Sequence, residues 1–187
     1  ATIYKGLINH KFLREVLKGH SKLVLALYKS LEKKFEHDGL FWLQYGLSLR
    51  DFNKHEESLE KLRTAHQAYL MEHTQHALGQ QLLIVAAHSS DKRMALAYAD
   101  EAMDLLKNLD RVIESDDTFP IVTLCEGYTN VIRIHEGEDL ARKKAAEFAN
   151  RLRNRTSGSE SGDRVQKAYE NMFRYATTGT WTELEDQ

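Results

Sequence analysis

The chain has 187 residues, with 26 Lys and Arg against 28 Asp and Glu and a net charge of -2. That balance excludes a chain-wide polyanion binder, and the length suffices to bury a core without metal or disulfide staples. The single cysteine, Cys125, excludes an internal disulfide framework and fits a reducing, cytoplasmic compartment.

One Pro and ten Gly are few breakers for such a length. An almost entirely helical, all-α chain is therefore expected. No apolar run reaches the roughly 20 residues that span a bilayer, and no secretory signal opens the chain. An apolar helical pattern starts soon after Ala1, so a domain cut from a longer protein, with its missing part upstream, is expected.

Apolar residues recur at three- and four-residue spacing from about residue 8. Ile8, Phe12, Leu13, Val16 and Leu17 predict a first short helix, stopped by Gly19. Leu23, Leu27, Tyr28, Leu31 and Phe35 predict a second, ending near Asp38-Gly39. The third spans about Leu40 to Phe52. Asn53, with Glu56 three residues on, has capping-box spacing and opens a fourth through Leu59, Leu62, Ala65, His66 and Tyr69. The fifth starts near Thr74 and carries Ala77, Leu78, Leu82, Val85 and Ala86. Ser90 or Asp91 caps the sixth, whose apolar face holds Ala95, Leu96, Ala99, Ala102, Met103 and Leu106. An acidic link, Glu114-Ser115-Asp116-Asp117, follows. Thr118 and Pro120 suit the cap and first turn of a seventh helix, reaching about His135. The run Ile121 to Cys125 in that helix makes Cys125 a buried thiol. The eighth lies between Asp139 and Asn154. Residues 155–162 read as a mobile polar loop, 163–177 as a closing ninth helix, and 178–187 as a polar tail apart from Trp181 and Leu184. Short connections pair successive helices as antiparallel hairpins: four hairpins and a closing helix, one domain over 1–177.

Phe41-Trp42-Leu43-Gln44-Tyr45-Gly46, followed by Ser58, Leu62 and Ala65, reads as one helix–turn–helix unit. Val24, Tyr28 and Leu31 precede Ser58, Leu62 and Ala65 by 34 residues. Small residues on a second helix let the first approach, and the aromatics fill the space between neighbouring hairpins. The stretch resembles a tetratricopeptide repeat, whose period is 34. The likeness is good over 39–72, fair over 20–38 and 73–108, and weak beyond. Ala65 to Ala102 is 37 residues, so later units drift. Leu70 stands where the family carries a helix-ending Pro. The resemblance implies an irregular right-handed superhelix that binds a protein, peptide or helix rather than catalysing a reaction. Phe41 to Gly46 with Leu49-Arg50-Asp51-Phe52, and His76 to Leu83, also resemble helical C-terminal regions of bacterial signal-transduction P-loop NTPases, including defence proteins. That likeness implies a sensor or assembly arm. A Gly-rich loop ending in Gly-Lys-Ser/Thr is absent from the sequence.

Carried onto this chain, the family's groove positions are Leu40, Leu43, Leu47, Arg50 and Asp51, an apolar slot with a polar end. They could equally pack against the first two helices or a missing upstream part. A second candidate surface is basic: Arg142, Lys143, Lys144, Arg151, Arg153 and Arg155. It could contact nucleic-acid phosphates, but no aromatics interleave to stack bases. A solvated face paired with the acidic stretch before it is the favoured alternative. His66, His73, His76 and Glu72 do not make a sensible zinc set. No nucleophile sits in a Gly-x-Ser-x-Gly context. The expectation is therefore a non-catalytic module without metal, cofactor or membrane, with a protein partner. Self-association of the parent protein stays open as a rival.

Overall fold

The computed structural model describes residues 20–109, 120–153 and 162–181. Among these are eight α-helices and no strand: α1 (Ser21–Leu31), α2 (Gly39–Asp51), α3 (His55–Ala68), α4 (Glu72–His88), α5 (Lys92–Leu109), α6 (Pro120–His135), α7 (Glu138–Arg153) and α8 (Gly162–Thr178). The all-helical expectation holds for them. The expected helix over Ile8–Leu17, the acidic link with Thr118, the loop up to residue 161 and the tail beyond Trp181 lie outside the described residues. The chain divides into two compact units, Ala1–Gln81 and Leu82–Gln187, the division falling inside α4.

In the first unit α2 is apolar on nearly every side. Phe41, Trp42, Leu43, Tyr45, Gly46, Ser48 and Leu49 are all buried, the pattern of a central helix. It runs antiparallel to α3: Gly39 at its start lies against Ala65 and Tyr69, and Gly46 further on lies against Leu62. Ser58 Oγ donates to the Gly46 carbonyl at 2.8 Å. A Cβ on Gly46 would fall 2.6 Å from Leu62 Cγ, so the missing side chain sets how near the helices come. Tyr28 brings α1 in by stacking on Tyr45, ring centroids 4.7 Å apart.

Asn53 plays a different part from the one its sequence spacing predicts. Its φ is 58°, left-handed. Its N–H bonds the Arg50 carbonyl and that of Lys54 the Leu49 carbonyl, the Schellman closure of α2. Lys54 is the N-cap of α3, and no side chain caps it. Asn serves both as an N-cap and as a left-handed C-terminal residue, and its spacing to Glu56 does not distinguish them. At α4, Thr74 Oγ1 accepts from the Met71 N–H and donates towards the Tyr69 and Met71 carbonyls.

In the second unit Asp91 settles the choice of cap, its Oδ1 accepting the Met94 N–H. Ala95, Ala99, Ala102 and Leu106 of α5 are fully buried. Lys92 pairs with Glu136, and Tyr128 donates to Asp100. Early α5 thus meets late α6, and the two helices are antiparallel. Gly127 lets α6 close on Leu83, and Cys125 is a buried cysteine outside any disulfide. Phe148 of α7 meets Tyr128 edge-on. The closing helix α8 packs on both α6 and α7, with Thr129 against Met172 and Tyr175 donating to Glu138. Trp181 meets Tyr175 edge-on and lies under the Arg133 guanidinium.

A candidate partner groove in the first unit

The turn between α1 and α2 is held by several independent bonds. Lys34 and Phe35 N–H groups return to the Leu31 carbonyl, and the Asp38 N–H to that of Phe35. Asp38 Oδ1 then accepts from the Leu40 and Phe41 N–H groups and caps α2. Trp42 Nε1 donates to the Glu36 carbonyl at 2.9 Å. Phe35 stacks on Phe41. Lys61 Nζ reaches from α3 to Glu32 at 2.9 Å and lies 5.0 Å from the Trp42 ring and 5.2 Å from that of Tyr45. Burial, and then the Glu32 and Glu57 carboxylates, push the Tyr45 hydroxyl up from its usual pKa.

These restraints leave an open groove of about 550 Å³ between the turn and the end of α3, lined by residues 33–40 with Ala68 and Tyr69. Phe35, Leu40 and Tyr69 supply its apolar surface. Tyr69 is 47% exposed, and the neighbouring Leu70 is 79% exposed. Gly39 forms part of the wall, and Tyr69 Cβ presses against it. Exposed apolar groups gathered beside a concavity mark an interaction surface more often than scattered ones do.

Of the groove positions carried over from the repeat family, only Leu40 lines this concavity. Leu43 is 6% exposed and buried, in keeping with the alternative that these leucines pack inward. Leu47 and Arg50 are half-buried, Arg50 donating to Gln80 Oε1 at 2.6 Å, and Asp51 is exposed. Arg50 and Asp51 lie ten or more residues along α2 from Leu40, roughly 15 Å at 1.5 Å per residue. The five residues therefore do not form one compact slot. Sequence reasoning missed Lys33, Lys34, Phe35, Tyr69 and Leu70. The available signal was Leu70 itself, a large apolar residue where the repeat pattern ends its helix with Pro.

The basic residues of α7 are dispersed. Arg142 donates through Nε and Nη2 to the Ala176 and Thr177 carbonyls, satisfying the C-terminus of α8. Lys144 pairs with Glu147 at 2.8 Å and lies one turn from Phe148, which faces α6. Lys143 and Arg153 are exposed and Arg151 is half-buried, while Arg155 lies outside the described residues.

His76 is buried, and burial lowers the His66 pKa. Among the described residues no three His, Cys, Asp or Glu side chains converge as for a metal ion, and no helix is long and apolar enough to cross a membrane. Comparison with protein-family models, with curated proteins and with solved structures gave no match.

Proposed function

We propose that the chain is a non-catalytic protein-recognition module of tetratricopeptide-like hairpins that takes a partner helix or peptide. The observation that carries this is the open groove of about 550 Å³ beside Tyr69 and the 79%-exposed Leu70. The repeat assignment is supported by close packing at its diagnostic positions: Gly46 against Leu62, Ser58 on the Gly46 carbonyl, and Ala65 fully buried. Within a larger bacterial signal-transduction NTPase or defence protein, such a module would act in the cytoplasm as sensor or assembly arm. Affinity capture with the natural partner tests the reading. Leu40→Glu and Leu70→Glu should each lose the partner while the far-ultraviolet circular dichroism stays that of wild type. Equal retention by wild type and both variants contradicts it. Sedimentation at several concentrations tells a foreign partner from a second copy of the chain.

A further inference from the structure

The charges around the groove are unevenly committed. Asp38 is held by the N–H groups of Leu40 and Phe41, and Glu32 by Lys61. Glu36 is exposed and 3.4 Å from His37 Nε2, an ion pair only when that ring is protonated. Lys33 and Lys34 line the groove and are exposed. Lys34 Nζ lies 5.6 Å from the Phe35 ring, and neither lysine has a carboxylate partner among the described residues. Lys29, one turn earlier, is also exposed. The facing rim, Gln67 to Leu70, carries no charge. The groove therefore offers an apolar floor of Phe35, Leu40 and Tyr69 and an apolar shelf at Leu70, with the Lys33 and Lys34 ammonium groups and the exposed Glu36 carboxylate on the turn side.

We infer that the occupant is a partner segment presenting a bulky apolar side chain flanked by carboxylates. The apolar side chain enters between Leu40 and Tyr69, and the carboxylates meet Lys33 and Lys34. This rests on the reading of the groove as a partner site and adds the chemistry of the partner. The selectivity lies at Lys33 and Lys34, where a lysine-flanked segment would bring like charges together; Glu36 on the same turn sets the carboxylates' place away from itself.

Two hexapeptide probes separate the claims: one with Leu-Phe between two pairs of Glu, the other with Lys replacing each Glu. Each is titrated into the full ¹⁵N-labelled chain at low salt, and backbone amide shifts are followed. The Glu peptide is expected to shift the amides of 33–40 and 68–70. Two exposed ion pairs correspond to roughly a five- to tenfold preference over the Lys peptide. The double variant Lys33→Glu/Lys34→Glu should reverse that preference with its other amide shifts unchanged. Equal or tighter binding of the Lys peptide at these amides overturns the inferred chemistry and leaves the groove standing. Failure of both peptides to shift these amides overturns the groove reading itself.

Discussion

Gly39→Ala is the sharpest perturbation of the hairpin that builds the groove. A Cβ at Gly39 would lie 2.3 Å from Tyr69 Cβ and 3.2 Å from both the Ala65 oxygen and the Tyr69 nitrogen. Tyr69 Cβ is fixed to its own backbone, so no rotamer change relieves the overlap. The start of α2 and the end of α3 must part by about 1 Å to reach ordinary contact, and a gap of 0.5–1 Å forfeits a quarter to a half of each contact well. Overpacking of this kind costs about 1–3 kcal/mol. Replacing Gly by Ala returns at most about 1 kcal/mol of helix propensity, and less in the first turn. A net loss of about 1–2 kcal/mol is expected, or roughly 2–8 °C in Tm for a chain of this size. Gly46→Ala should cost less, because its new Cβ meets the movable Cγ and Cδ2 of Leu62. Urea unfolding followed by circular dichroism at 222 nm measures both. A Gly39→Ala variant as stable as wild type would refute the close approach of α2 and α3.

Ser58→Ala removes a fully buried hydroxyl from the Gly46 carbonyl and should lower stability by about 1 kcal/mol in the same assay. Unchanged stability would mean that the bond does not help hold the hairpin. Arg142→Ala should cost about 1–3 kcal/mol by leaving the α8 carbonyls without their charged donor, whereas Lys143→Ala should stay within about 0.5 kcal/mol; similar losses for both would refute the capping role. Burial first, then the Asp100 carboxylate and hydrogen bond, push the Tyr128 hydroxyl up to about 12 from the usual 10.0. The native state therefore retains that proton where the unfolded chain releases it. The contribution is full below pH 10 and is lost as the pH rises through 12. Tyr128→Phe should flatten this alkaline decline, and identical slopes for variant and wild type would contradict the assignment.

Much of the helical layout was legible because its signals are local. Pro120 opens α6, Asp91 caps α5, and alanines at three- and four-residue spacing mark the buried face of α5. Three- and four-residue spacing likewise marked the inner face of α3, where Ser58, Leu62 and Ala65 are fully buried. What escaped was non-local or degenerate. Leu43 reads as a groove residue by analogy, but α2 buries nearly its whole circumference, and one helix's sequence does not say what covers each side. Arg142 looks like one of a run of surface cations, yet its guanidinium bonds carbonyls 34 and 35 residues away. The groove joins the α1–α2 turn to Tyr69, about thirty residues on, and no local pattern links those segments.

Hydrogen–deuterium exchange of the full chain, alone and with its captured partner, probes the groove most directly. Partner binding should slow exchange at residues 33–40 and 68–70, with that protection lost in Leu70→Glu. Protection confined to other surfaces, with these amides exchanging as in the free chain, would contradict a recognition site at Leu40, Tyr69 and Leu70.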